Sequence, residues 1–125
     1  MSLFQFGTFQ AANGPLPFKI ECDALTEDDW ACIAAHSHKR LPEFGKIVSV
    51  PRGGKKLATH LKPYKTPGCK VVLFVDDVWT TGKSLRAVVA EYMVKNGAML
   101  DWNGFVAFAR GPIPIRIRCF MHLSI

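Results

Sequence analysis

The chain has 125 residues, of which 49% are hydrophobic and 21% are charged, and its formal net charge is +6. This length and apolar content suffice for one core and predict a single domain spanning residues 1–125. No apolar stretch approaches membrane-spanning length, and residues 1–9 lack the features of a secretory signal. A cytoplasmic protein is therefore expected.

The excess of basic residues indicates the kind of partner, and the spacing of the cysteines indicates their chemical state. A net charge of +6 suits a ligand with several phosphates and would also attract nucleic acid. No helix-turn-helix or RNA-stacking motif is visible, so nucleic acid is not the expected partner. The cysteines at positions 22, 32, 69 and 119 form no Cys-x-x-Cys pair, which predicts reduced structural thiols.

The first predicted elements are a strand at residues 18–22 and a helix after it. Thr26, followed three residues later by Asp29, forms a capping box that begins the helix. Its predicted inward stripe consists of Trp30, Ile33, Ala34 and Leu41. His36 and His38 lie outside this stripe and are expected to be solvated rather than metal ligands.

A short buried strand is predicted at residues 46–50, followed by a basic turn and a helix at residues 55–62. The turn contains Arg52, Gly53 and Gly54. A guanidinium makes bidentate contacts to phosphate oxygens, and glycines allow the backbone to approach a ligand closely. Alone, so short a motif is more often an ordinary solvated loop than a ligand site. Its position one strand before the acidic pair at residues 76–77 favours a pyrophosphate site instead.

Residues 71–75 are five apolar residues in a row, as in a parallel strand buried on both faces. Ligands of open α/β sheets lie beyond the carboxyl ends of the strands, so Asp76 and Asp77 are expected to emerge at that edge. Two adjacent carboxylates repel each other and need hydroxyl donors, cations or water. A vicinal diol is a suitable partner for them.

The segment after the acids predicts a phosphate cradle. Thr80, Thr81 and Ser84 supply hydroxyls, Gly82 allows close backbone approach, and the next helix begins near Lys83. A nucleotide P-loop has the same ending but needs a glycine five residues before Gly82, where this chain carries a carboxylate that would repel phosphate. A strand ending in a solvated turn would leave the combination of acids and hydroxyls unexplained. The pattern therefore favours a phosphorylated sugar.

The rest of the chain continues the alternation. Helical spacing covers residues 83–96 and ends at Asn96-Gly97, and strands are predicted at 104–109 and 115–123. Arg116 and Arg118 alternate with apolar residues in the last strand, as in an edge strand. The predicted fold is α/β, a Rossmann-like parallel sheet with helices on both faces.

Residues 71–84 resemble the fingerprint of the type I phosphoribosyltransferases, although Phe74 and Trp79 are bulkier than the usual pattern. The matching residues are Asp76, Asp77, Thr80, Thr81, Gly82 and Ser84. The resemblance implies transfer of phosphoribose from phosphoribosyl pyrophosphate (PRPP) to a nucleobase, with release of pyrophosphate and Mg²⁺ as cofactor.

The resemblance also assigns roles to residues. Asp76 and Asp77 would be catalytic, contact the ribose hydroxyls and hold Mg²⁺ directly or through water. The remaining PRPP contacts would come from Val78, Thr80, Thr81, Gly82, Lys83 and Ser84, and the pyrophosphate contacts from Arg52, Gly53 and Gly54.

Residues 9–14 and 18–23 resemble the amino-terminal hood of the orotate branch, so residues 1–25 are expected to form a reduced hood and 26–125 the core. A pyrimidine such as orotate is then the preferred base. Ala12 stands where that branch has a lysine, which removes one contact to the orotate carboxylate. Arg110 falls at a base-contacting position, with a salt-bridged surface arginine as the alternative.

The chain departs from the family between the two motifs. Residues 63–68 join the helix almost directly to the acidic strand, where family members have a further strand and a long mobile loop. Loss of this lid should weaken catalysis more than binding. Lys62 and Lys65 would replace it in part, or a partner subunit would, in an expected homodimer that also covers the exposed sheet edge.

Two alternative functions remain open at this stage. One is a non-catalytic PRPP-binding regulator that contacts nucleic acid. The other is a degenerate relative that binds neither ligand.

Overall fold

The computed structural model describes residues 2–11, 14–98 and 100–123, with the backbone alone for residues 6–11 and 14–18. The strands are β1 (Phe4–Ala11), β2 (Gly14–Ile20), β3 (Lys46–Ser49), β4 (Val72–Trp79), β5 (Trp102–Arg110) and β6 (Ile117–Leu123). The α-helices are α1 (Glu27–Ser37), α2 (Lys55–Leu61) and α3 (Lys83–Asn96). None of the described helices combines the length and apolarity that a bilayer span requires.

Strands β3, β4, β5 and β6 form one sheet in that order, and every neighbouring pair is parallel. This confirms the predicted α/β fold and the edge position of the last strand. Strands β1 and β2 pair with each other as a separate antiparallel hairpin. The hairpin therefore replaces the single strand predicted at residues 18–22.

Alternate residues of β4 face two separate apolar clusters. Leu73 and Val75 belong to a cluster that includes Trp30 and Ile33 of α1 and Leu57 of α2. The other cluster joins Val72 and Phe74 of β4 to Leu85 and Val89 of α3. Because successive side chains of a strand point to opposite faces, the continuous apolar run of β4 is explained by helices on both faces of the sheet.

The predicted capping box of α1 is confirmed. The Asp29 backbone N–H donates to Thr26 Oγ1 at 3.1 Å, and the Thr26 N–H donates to Asp29 Oδ2 at 2.8 Å. The prediction for Leu41 is wrong, because α1 ends at Ser37 and a 3₁₀ turn at His38–Arg40 follows. Leu41 instead packs against the α1 cluster from the segment after this turn.

The two histidines behave differently. His36 is exposed, as expected, and meets the Phe120 ring edge-on at 5.8 Å between centroids. His38 is half-buried and stacks on Tyr64 at 3.8 Å, so the expectation of a solvated His38 is wrong. The stacking depends on a residue distant in sequence, which explains why helical spacing missed it.

Strand β4 is longer than predicted. Its pairing with β5 continues to Trp79 opposite Ala109, so Asp76 and Asp77 lie within the last part of the strand rather than beyond it. Backbone pairing does not depend on side-chain polarity, and the apolar run therefore marked only the fully buried part of this strand.

The sequence predicted that no strand follows α2, and residues 62–71 indeed contain none. A 3₁₀ turn at Lys62–Tyr64 leads into a segment tied to the residues before β3. The Thr66 N–H donates to the Phe44 carbonyl at 2.8 Å, and the Gly45 N–H donates to the Val71 carbonyl at 2.9 Å. The segment thus runs past the amino-terminal end of β3 and forms no lid over the other end.

Candidate functional site

The two predicted motifs lie together at the carboxyl ends of β3 and β4. These strands are neighbours, and the Val50 N–H donates to the Val75 carbonyl at 2.8 Å just past the end of β3. A Cβ added to Gly53 would lie 2.5 Å from Asp77 Oδ1 and 2.9 Å from Asp76 Oδ1. The basic turn therefore packs directly against both carboxylates.

The backbone of the 51–54 turn is constrained. A Cβ on Gly54 would overlap the Val75 carbonyl oxygen, so a glycine is required for this close approach. Among the described non-glycine residues, Arg52 alone has a positive φ, of 68°. A left-handed conformation costs an L-residue about 1–2 kcal/mol. The turn holds this strain while it leaves the Arg52 side chain exposed.

The two acids have different environments. Asp76 is 6% exposed, whereas Asp77 is half-buried. The Asp77 N–H donates to Asp76 Oδ1 at 2.8 Å, and the Val78 N–H donates to Asp77 Oδ1 at 2.7 Å. Burial, together with a hydrogen bond and the charge of Asp77, raises the pKa of Asp76 to about 7. Asp76 therefore titrates near neutral pH.

Two cavities meet at the acid pair. Asp76 lines a cavity of about 280 Å³, and Asp77 lines a neighbouring cavity of about 250 Å³. The first is also lined by Val78, Trp79, Thr80, Thr81, Gly82, Lys83, Ser84 and Leu85, which include the whole predicted phosphate cradle. The second is lined by Arg52, Gly53 and Lys56 and also by the acidic residues Glu21 and Asp23. The hydroxyls therefore lie in the first cavity, and cations line both.

The Trp79 ring packs against the loop at residues 80–84 and holds it in place. Gly82 has φ 80°, and a Cβ on it would overlap the buried Trp79 ring. The Arg86 guanidinium lies 5.2 Å from that ring centroid and donates from Nη1 to the Thr81 carbonyl at 3.3 Å. The loop also opens α3, a helix of 14 residues whose amino-terminal N–H groups attract anions. The bulk of Trp79 is therefore part of the loop's support.

Two residues beside the acids, Lys56 and Cys22, were not predicted from the sequence. Lys56 lies in the first turn of α2 and adds a cation beside Arg52, which its position just after the glycines could have indicated. Cys22 lines the same cavity from the segment after β2. Burial, the charge of Asp77 and a hydrogen bond to it raise the pKa of Cys22 to about 12. Only the folded chain reveals that the hairpin ends beside the acid.

Arg110 is 6% exposed at the end of β5, so it is a buried arginine and not a surface one. Burial lowers its pKa. Arg110 is not among the described residues that line either cavity. Its contact to the base stays a prediction, and Ala12 lies outside the described residues.

The expectation that Lys62 and Lys65 replace lid cations is wrong. Both follow the carboxyl end of α2, on the side where residues 66–71 lead to the start of β4. The acid pair lies near the opposite end of β4. These lysines are therefore placed away from the acids, whereas Lys56 at the amino end of α2 lies beside them.

The acid pair alone is not a complete metal site. Across residues 2–11, 14–98 and 100–123, no group of three or more His, Cys, Asp or Glu side chains is arranged to hold a metal ion. Mg²⁺ in phosphate-binding sites commonly uses one or two carboxylates and completes its shell with water and substrate phosphates. Asp76 and Asp77 fit that pattern, since they supply two carboxylates and each lines a cavity with room for water and phosphate.

Comparison with known proteins identifies the fold. No protein-family model matches the sequence, and no curated protein matches it. Among solved structures, orotate phosphoribosyltransferase from Aeropyrum pernix matches with a TM-score of 0.74 and 19% identity, covering 96% of this chain and 88% of that one. The Mycobacterium tuberculosis H37Rv orotate phosphoribosyltransferase in complex with Fe(III) dicitrate matches with a TM-score of 0.68 and 14% identity, covering 96% and 89%.

A purine enzyme shares the architecture. Xanthine-guanine-hypoxanthine phosphoribosyltransferase from Helicobacter pylori matches with a TM-score of 0.57 and 17% identity, covering 79% of this chain and 83% of that one. Similarity at such low identity establishes architecture rather than substrate. Together with the parallel sheet and the strand-acid-loop arrangement, it shows that this chain has the type I phosphoribosyltransferase fold.

Proposed function

We propose that this chain binds PRPP and transfers its phosphoribosyl group to a nucleobase with release of pyrophosphate. One observation carries the proposal. Because Gly53 has no side chain, the basic turn packs directly against both carboxylates, and a Cβ added to Gly53 would lie within 3 Å of each. This packing joins the two phosphate motifs in one site. Solved phosphoribosyltransferases of orotate and purine types share the fold, which supports the reaction class.

The site suggests how PRPP is held. The 5′-phosphate would lie in the 80–84 loop, where hydroxyls, backbone N–H groups and the start of α3 attract an anion. The ribose diol would donate hydrogen bonds to Asp76 and Asp77. The pyrophosphate would lie against the turn that carries Arg52, with Lys56 as a second cation.

The reaction follows from this placement. The bond between ribose C1 and pyrophosphate breaks, and pyrophosphate leaves with the electron pair. A ring nitrogen of the base forms the new bond to C1 with its own electron pair and releases its N–H proton to solvent. Positive charge develops on the ribose during this change, and the carboxylates of Asp76 and Asp77 stabilise it. When bound, Mg²⁺ held by these acids directly or through water would supply positive charge to the leaving pyrophosphate.

Features outside the acid pair bear on the base and on turnover. The segment after the β1–β2 hairpin reaches Asp77 at Cys22, where a hood would cover the base, and the resemblance of the amino-terminal segment to the orotate hood favours a pyrimidine such as orotate. Residues 62–71 supply no lid, so turnover by a single chain should be slow. A second copy that covers the exposed edge of β3 would complete a homodimer.

The first experiment is titration calorimetry of PRPP with and without Mg²⁺. The parent should bind PRPP in a Mg²⁺-dependent manner, and the Asp76→Asn, Asp77→Asn double variant should bind at least about 100-fold more weakly, since two charged contacts are lost. Asp101→Asn is the matched control, because it removes an exposed carboxylate just before β5. Equal PRPP affinity of the parent and the double variant would rule out the proposed site.

The lidless segment at residues 62–71 favours a second candidate function, a PRPP-binding regulator without turnover. Pyrophosphate release with orotate, uracil, hypoxanthine and guanine separates the two. Release with any base establishes the transferase, whereas tight PRPP binding without release supports the regulator. Competition by RNA or DNA at low salt then tests whether the regulator contacts nucleic acid.

A further inference from the structure

A separate cavity of about 270 Å³ lies on the β6 side of the sheet. Arg40 and Leu41 line it from the segment after α1, and Arg118 lines it from β6. Strand β5 separates β6 from β4, and the cavity shares no lining residue with either cavity at the acid pair. It is therefore a candidate site independent of the one already described.

The cavity originates in an unusual crossover. Parallel neighbouring strands are normally joined through about a dozen residues or more, commonly a helix. Residues 111–116 alone join β5 to β6, and no helix forms there. An extended connection covers less of the sheet than a helix, so a cavity remains beside Ile113 and Ile117.

The described residues that line this cavity carry two positive charges and no negative charge. Two guanidiniums, those of Arg40 and Arg118, line it, and none of its described lining residues is acidic. Within the described part of the chain, the ion pairs are Lys19–Glu21, His60–Glu27 and Lys95–Glu91, so neither arginine is in one. Two cations beside an apolar surface create a positive potential that attracts an anion.

A buried hydroxyl lines the same cavity. Ser37, the last residue of α1, is 4% exposed, and its Oγ has no hydrogen-bond partner among the described residues. A buried hydroxyl without a partner is unfavourable, and such groups in native proteins usually bond to water or a ligand. Because this oxygen has almost no accessible surface, the Ser37 side chain would rotate about χ1 to donate a hydrogen bond to an oxyanion placed between the arginines.

We propose that this cavity binds a small organic anion. Its carboxylate or phosphate group would be held by Arg40, Arg118 and the Ser37 hydroxyl, and its apolar body would contact Phe105, Ile113 and Ile117. The volume of about 270 Å³ is just under the 300–1,000 Å³ typical of drug-sized ligands, which suits a body of one ring.

Binding to the full chain is tested with four probes: benzoate, phenyl phosphate, inorganic phosphate and benzyl alcohol. At least one aromatic anion should bind at least about tenfold more tightly than inorganic phosphate and than benzyl alcohol, because both the charge and the ring contribute. The tighter of the two aromatic anions identifies the preferred head group. Equal affinity for all anions, or no binding at millimolar concentrations, overturns the proposal.

Matched arginine variants locate the bound probe. Arg118→Gln and Arg40→Gln should each weaken binding about tenfold, and Ser37→Ala by a few-fold. Arg116→Gln is the control, because Arg116 is exposed, stacks on Trp102 and does not line this cavity. An equal loss in the Arg116 and Arg118 variants would show general charge attraction and overturn the proposal.

Thiol alkylation supplies a readout that needs no variant. Cys119 is half-buried and lines the cavity, whereas Cys32 is exposed on α1 and serves as an internal reference. Burial raises the pKa of Cys119, so the reaction is followed in mildly alkaline buffer. A saturating probe should slow alkylation of Cys119 several-fold without changing that of Cys32. Unchanged Cys119 reactivity with bound probe would place the anion elsewhere and overturn the proposal.

Discussion

The two turns that approach the acid pair are held in different ways. The 80–84 loop opens the 14-residue helix α3 and rests on Trp79, which is 3% exposed. The 51–54 turn opens the seven-residue helix α2 and holds Arg52 at φ 68°. The 80–84 loop is held by packing against the Trp79 ring, whereas the 51–54 turn packs directly against the carboxylates of the acid pair.

This difference separates stability from binding. Gly82 is required by the Trp79 ring and by its own positive φ, so its substitution should act mainly on folding. At position 53, an added Cβ would meet only the carboxylate ends of Asp76 and Asp77, which can move. Substitution of Gly53 should therefore lower mainly the affinity for the ligand. The following variants test this separation.

The largest effect is expected for Gly82→Ala. Left-handed strain of about 1–2 kcal/mol and overpacking of about 1–3 kcal/mol should together lower the free energy of unfolding by about 3 kcal/mol. Gly68→Ala is the control, because Gly68 has the same φ of 80° with no atom within 4 Å of an added Cβ. It should lose about 1 kcal/mol. Urea unfolding measures both, and equal losses would show that Trp79 does not constrain the loop.

A smaller effect, on binding, is expected for Gly53→Ala. The added methyl group would displace the carboxylates of Asp76 and Asp77 and should weaken PRPP binding about 30-fold, or about 2 kcal/mol. The free energy of unfolding should fall by less than about 1 kcal/mol, since the displaced atoms are side-chain ends. Calorimetry with Gly68→Ala as the control checks this, and unchanged affinity would contradict the packing of the turn on the acids.

A third prediction concerns pH. The pKa of Asp76 is raised from 3.8 to about 7, so the folded state binds more protons than the unfolded state between these values. The free energy of unfolding of the parent should therefore fall, relative to Asp76→Asn, as pH rises from about 4 to about 7, and stay level above about 7.

Urea unfolding at several pH values measures this difference. Asp77→Asn should keep most of the pH dependence, because burial is the main cause of the raised pKa of Asp76 and Asp77 contributes less. A difference between the parent and Asp76→Asn that does not change with pH would contradict the buried position of that carboxyl.

The smallest effect is expected for Arg52→Gly. Glycine removes left-handed strain of about 1–2 kcal/mol but adds about 0.5–1 kcal/mol of backbone entropy cost, so the protein should gain about 0.5 kcal/mol of stability. Arg52→Ala is the control, since it loses the same guanidinium and keeps a Cβ. Both variants should lose the same amount of PRPP affinity, measured by calorimetry. If urea unfolding finds the glycine variant no more stable than the alanine variant, position 52 is not strained.

Local signals made much of the fold predictable. The capping box at Thr26 and the stop at Asn96-Gly97 set the start of α1 and the end of α3, and the apolar run marked the buried part of β4. The two glycine turns were also visible, because glycine and charge requirements act over a few residues. Long-range contacts were not visible, and the stacking of His38 on Tyr64 and the place of Lys62 and Lys65 were misjudged for that reason.

The sequence by itself determined the order of strands and helices from residue 26 onward, the adjacency of two acids and a hydroxyl loop, and a basic turn one strand earlier, since periodicity and short-range backbone geometry encode these features. Tertiary structure alone decided that Gly53 meets both acids, that Cys22 reaches Asp77, and that Arg40, Arg118 and Ser37 share one cavity. These groups are distant along the chain, and only the packing of strands and helices fixes their distances.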